Sequence, residues 1–105
     1  MAEYVLIYHD DNTRMPSNPE EGAEQMTRYR EWMSGLGSAL VNPGTPFGPS
    51  KMVTSSGVTE PGGDHRISGF STVEADSMDA ALEMAKACPY IEFGDIEVAE
   101  TMKMD

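Results

Sequence analysis

A chain of 105 residues, 39% hydrophobic and 24% charged, has the size of one domain. It can bury one core but not a core plus a deep, enclosed active site. Its 18 acidic and 7 basic residues leave a net charge of -11, spread along the chain; such a surface repels phosphate backbones and anionic lipid, so neither nucleic acid nor membrane is an expected partner.

Residues 3 to 9, Glu-Tyr-Val-Leu-Ile-Tyr-His, read as a strand rich in β-branched and aromatic residues. Tyr4, Leu6 and Tyr8 fall on one face, Val5 and Ile7 on the other. Both faces are apolar, so both need a cover. After a polar loop, Asn18 is a plausible N-cap, Pro19 suits the first helical position, and Glu20 and Glu21 favour the positive helix end. Met26, Tyr29, Met33, Leu36 and Leu40 recur at helical spacing, which predicts a helix within Pro19 to Leu40 whose last turn is weakened and ended by Gly35 and Gly37. Residues 42 to 63 are rich in Gly and Pro. They predict a turn-rich excursion, a hairpin arm or a flap, with a short strand over Lys51 to Ser55.

Ile67 to Ala75 reads as the next strand, Asp76 or Ser77 as a cap, and Met78, Ala81, Leu82 and Ala85 as the buried stripe of a second helix stopped by Pro89. Ile96, Val98 and Met102 line one face of a last strand. This is the β-α-β-β-α-β order of a ferredoxin-like α+β domain with an antiparallel sheet. Two helices cover one sheet face, so the two-faced first strand predicts a homodimer closed sheet against sheet, a dimeric α+β barrel.

The one cysteine excludes an internal disulfide. Cys88 follows a helix C-terminus, whose partial negative charge raises a thiol pKa, and it reads as a small buried hydrophobe. Four residues are candidates for acid–base work. His9 leaves the first strand beside Asp10 and Asp11, and His65 lies in a loop beside Asp64. Glu74 and Glu97 sit inside predicted strands, where burial in a dimer raises a carboxyl pKa. Tyr8, Trp32 and Glu97 are the expected ligand-binding residues, with the indole as a pocket wall. No Walker loop, CxxC, HExxH or GxSxG occurs, and no metal or cofactor is expected. No apolar stretch spans a bilayer, and Met1-Ala-Glu-Tyr4 lacks the features of a signal peptide, so a cytoplasmic location is expected.

The run from Gly69 to Pro89, ending Ala-Lys-Ala-Cys-Pro, resembles the YCII-related family in its DGPF-domain branch. So do Tyr4 to Tyr8, Pro19-Glu-Glu, Asn42-Pro-Gly-Thr-Pro46 and the segment from Ile96 to Met102, and the resemblance covers nearly the whole chain as one domain, 1–105. It implies a ferredoxin-like fold paired into a dimeric α+β barrel, with activity unassigned for most members. Some relatives act on chlorinated muconolactones, and a His-Asp pair has been proposed as catalytic in the shorter branch. Genes of the DGPF branch often neighbour those of extracytoplasmic-function sigma factors. Here the naming motif is replaced by Glu60-Pro-Gly-Gly-Asp-His65, and the first helix holds no histidine, so that pair does not carry over. Two readings follow. One is a small-molecule-binding dimer with lyase-like or dehalogenase-like acid–base activity. The other is a non-enzymatic regulatory or interaction module linked to transcriptional control.

Overall fold

The first predicted strand is an inner strand, β1 (Ala2–Asp10), of a four-stranded antiparallel sheet. The structure is a computed structural model that describes residues 2–10, 18–60 and 66–102. After β1 come α1 (Pro19–Leu36), a 3-10 turn (Gly37–Ala39) and β2 (Leu40–Asn42). A hairpin of β3 (Met52–Thr54) and β4 (Gly57–Thr59) precedes the long β5 (Arg66–Ala75). Then follow α2 (Met78–Lys86), a second 3-10 turn (Pro89–Glu92) and β6 (Gly94–Glu100). The sheet order is β2-β5-β1-β6. With the hairpin set aside as an insertion, this is the ferredoxin-like α+β arrangement, but its second strand is β2 at Leu40–Asn42; the strand expected over Lys51 to Ser55 belongs to the separate hairpin.

The helix starts follow their capping chemistry. Asn18 Oδ1 accepts from the Glu21 amide at 2.8 Å, with Pro19 opening α1. Of the two candidate caps for α2, Ser77 is the one used: its Oγ accepts from the Ala80 amide at 3.1 Å. Helix α1 ends four residues before Leu40. Gly37 turns the chain at φ +56, a conformation glycine adopts without strain, and Leu40 opens the edge strand β2 instead.

Alternation in β1 sends Tyr4, Leu6 and Tyr8 into the core, where they meet Ser71, Val73 and Ala75 of β5, Ala81 and Ala85 of α2, and Cys88. Two expectations about the helices need correction. On α1, Met26 is 45% exposed and Gln25 is buried in its stead, so the inward face runs through Gln25, Tyr29, Trp32 and Leu36. On α2, Met78 and Leu82 lie at the margin and only the two alanines are buried, because small side chains let the helix sit close to the sheet. Met102 lies beyond β6 and is exposed.

The second sheet face carries Val5 and Ile7, opposite Thr72 and Phe70 of β5 and Ala99 and Glu97 of β6. Val5, Ile7 and Phe70 are half-buried. The hairpin forms its own two-stranded sheet, with Val53 opposite Val58, 76% and 66% exposed. The part of the excursion from Met52 to Thr59 is therefore a hairpin arm, one of the two readings.

Candidate functional site

A cleft of about 370 Å³ opens between α1 and the sheet. Its floor is Tyr8, Ser68 and Gly69, and its helix wall is Gln25, Met26, Tyr29 and Met33. Tyr90 and Phe70 also line it. The roof is the segment from Pro43 to Pro46, which follows the edge strand β2.

The roof is held by backbone geometry. Asn42 Oδ1 accepts from the Gly44 amide at 2.8 Å, a turn that suits Asn. Gly44 has φ +78, and a Cβ there would lie 1.6 Å from the Phe70 carbonyl oxygen. Pro46 bridges to Gly69, and the Phe47 amide donates to the Ser68 carbonyl at 2.9 Å. Pairing shifts register between Tyr8 and His9, leaving Ser68 as the extra residue of β5. Its hydroxyl donates to the Tyr8 carbonyl at 3.2 Å and lies 2.7 Å from the Tyr90 hydroxyl.

Three hydroxyls are linked beside the cleft, two of them, Tyr8 and Tyr29, on its lining and the third, Ser71, buried behind them. Tyr29 Oη donates to Tyr8 Oη at 3.0 Å, and Tyr8 Oη lies 2.8 Å from Ser71 Oγ. Ser71 Oγ donates in turn to the Pro43 carbonyl at 3.0 Å. Each hydroxyl has one proton. Ser71 spends its proton on Pro43, so Tyr8 donates to Ser71, and the chain runs Tyr29 to Tyr8 to Ser71 to carbonyl. Burial pushes the Tyr8 phenol well above its ordinary pKa of 10.0; the Ser71 hydrogen bond opposes this and Tyr29 adds to it. Tyr8 is thus a neutral phenol, and its chain ends at a carbonyl that takes no proton. The arrangement holds and orients a ligand better than it carries a proton away.

The residues predicted from the sequence are distributed over both sheet faces. Tyr8 lines the cleft. Trp32 does not: its Nε1 donates to the Met84 carbonyl at 3.0 Å and its ring packs on Tyr29 at a centroid distance of 5.5 Å, joining the two helices. His9 and Glu97 meet on the second sheet face, Nε2 to Oε1 at 2.8 Å. Glu74 lies on that face too, opposite Glu3. His65 lies outside the described residues. Among the described residues, no group of three or more His, Cys, Asp and Glu is placed to hold a metal ion, and no helix is long and apolar enough to cross a membrane. Cys88 is buried, and burial pushes its thiol up from 9.0 to about 11, opposing nucleophilic use.

Gln25, Tyr29, Ser68, Ser71 and Tyr90 were not anticipated. Two signals pointed to them. Ser71 is a polar residue in the same alternation as Val73 and Ala75, and Gln25 lies one helical turn from Tyr29 on the inward face. A polar residue in register with a core is the mark of an internal hydrogen-bond network or a ligand contact.

No curated protein matches the chain. Among solved structures, 5-chloro-2-hydroxyhydroquinone dehydrochlorinase from Burkholderia phenoliruptrix AC1100, in complex with 2,5-dihydroxybenzoquinone, superposes with a TM-score of 0.58 at 16% identity. The match covers 94% of this chain and 93% of that one, a likeness of fold. The family model of the YCII-related domain matches residues 1–105, and with the ferredoxin-like order of its elements the chain belongs to the YCII-related family.

Proposed function

We propose that this protein binds a small molecule in the cleft between α1 and the sheet, as a homodimer joined through the second sheet face. One observation carries the first part: Tyr8 and Tyr29, whose hydroxyls are hydrogen-bonded to each other, line a mostly apolar cleft, with the buried Ser71 hydroxyl behind them. A concave apolar site with a few convergent polar groups is the usual form of a ligand pocket. Support for the dimer comes from Val5, Ile7 and Phe70, which stay half-buried on a face that neither helix covers. The likeness to a dehydrochlorinase that binds a hydroxylated quinone agrees with a ring-shaped ligand. Acid–base activity of the lyase or dehalogenase kind would draw on His9 and Glu97, a His–carboxylate pair on the second face. In a sheet-to-sheet dimer that pair would stand at the interface.

Native mass spectrometry of the purified protein is the direct test. A dimer carrying a discrete small-molecule adduct is the expected result. Met26→Trp, which places an indole in the cleft, should abolish the adduct and leave the dimer. An adduct retained by that variant would overturn the cleft as the site.

The exposed Val53–Val58 pair on the hairpin favours a second reading, an interaction module. Replacing both valines with threonine separates the two. It should leave small-molecule binding unchanged in the first reading and abolish partner binding in the second.

A further inference from the structure

We infer that the hairpin is a dimer arm: its strand β3 pairs edge to edge with β3 of a second copy of this chain. The inference rests on the proposed dimer. Strands of three residues are too short to hold two copies by themselves, and they add a second contact to the one on the sheet face.

All six residues of β3 and β4 are exposed, and the two strands form a sheet of their own. A two-stranded hairpin alone in water is marginally stable, and each of its strands leaves an outer row of N–H and C=O groups without a strand partner. Three or more strands with an apolar face make the stable form. Val53 stands opposite Val58 on this hairpin, and Met52 beside them is 50% exposed. Pairing with a second hairpin makes four strands and doubles that apolar row.

The edge is open by composition. Sheet edges are ordinarily blunted with charge or proline. The free edge of the main sheet, β6, follows this rule with Asp95, Glu97 and Glu100. From Met52 to Thr59 there is no charge and no proline. Lys51 and Glu60 flank the hairpin and pair with each other at its base. Of the two hairpin strands β3 has the better edge, because Gly57 opens β4 with φ +133 and no side chain to pack.

Charge points to the chain itself as the partner. None of the 18 acids lies between Glu31 and Glu60. Two copies at a net charge of -11 repel wherever acidic surfaces meet, and the hairpin is where they meet with least repulsion. A basic partner is drawn to the acidic remainder of the surface instead. The root of the hairpin also leads onto the face proposed for the dimer. Phe47 stacks on Phe70 at a centroid distance of 5.9 Å, and Phe70 lies opposite Ile7 on that face. A two-fold contact is self-complementary, so one strand edge supplies both halves.

Hydrogen exchange of the wild-type protein, followed above and below the dissociation constant of the dimer, tests this without a substitution. The amides of Met52–Thr54 should exchange about tenfold more slowly in the dimer. Val53→Asp, which places a charge on the edge, should weaken the dimer by about tenfold in sedimentation, with the amides of β1 and β5 protected as in the wild type. A dimer whose hairpin amides exchange as fast as those of the monomer overturns the inference and leaves the sheet-to-sheet contact standing. So does a Val53→Asp variant that dimerises as tightly as the wild type. A wild-type protein that stays monomeric at every concentration overturns the dimer reading together with the arm.

Discussion

Cys88 and Tyr8 show how burial sets the chemistry of single residues. Both are acids whose folded pKa lies above the unfolded one, so the unfolded chain ionises first as the pH rises. Their stabilising contribution is complete below the unfolded pKa and is lost as pH climbs through the folded value. For Cys88 the window runs from 9.0 to about 11. Chemical denaturation across that window should show a loss on the order of 2 kcal/mol, and Cys88→Ala should flatten it. At pH 7 Cys88→Ala should lower stability by about 1 kcal/mol and leave ligand binding intact. Loss of binding in a folded variant would give the thiol a role in the site. Native protein should also resist thiol reagents at pH 8 until it is unfolded.

At the scale of elements, the roof and the helix starts depend on local geometry. Gly44→Ala would force a methyl into the Phe70 carbonyl and a side chain into the left-handed region. It should lower stability by about 1–3 kcal/mol and weaken ligand binding together, because the segment it strains covers the cleft. Calorimetry and native mass spectrometry of the adduct check both effects. Ser77→Ala removes the cap of α2 at a cost of about 1 kcal/mol, measurable by urea denaturation, and should leave the cleft's affinity unchanged because α2 does not line it.

For the whole molecule, charge and the second sheet face act against each other. Two copies that each carry -11 repel. A dimer held by Val5, Ile7 and Phe70 should therefore tighten as salt screens the charges, and sedimentation at low and high ionic strength measures this. Ile7→Asp should give a folded monomer, since Ile7 faces away from the helix-side core. A wild-type protein that sediments as a monomer at every salt concentration would overturn the sheet-to-sheet dimer.

Much of the fold was legible because its rules are local. The strand over residues 3 to 9, the cap at Asn18 with Pro19, and the stop near Pro89 all follow from period, capping and proline chemistry within a few residues. The end of α1 was marked by Gly35 and Gly37, but the strand that follows it was not legible. Apolar spacing carries on to Leu40, while Gly37 turns the chain and edge pairing with β5 claims Leu40 as strand. The cleft was scarcely legible. Tyr8, Tyr29, Ser71 and Pro43 are drawn from a strand, a helix, a distant strand and a loop, and no spacing rule links them. Likewise His9 and Glu97 stand 88 positions apart in the chain and meet only because β1 pairs with β6. By itself the sequence determined the two helix starts, the strands at residues 3 to 9, 67 to 75 and from Ile96, and the overall negative charge, since these depend on near neighbours and composition; the short edge strand β2 it did not. Only the tertiary structure decided which hydroxyls share protons, which face Gln25 presents, and that Trp32 joins two helices instead of lining the cleft. Those outcomes depend on distances between segments far apart in the chain, which packing of the whole core sets.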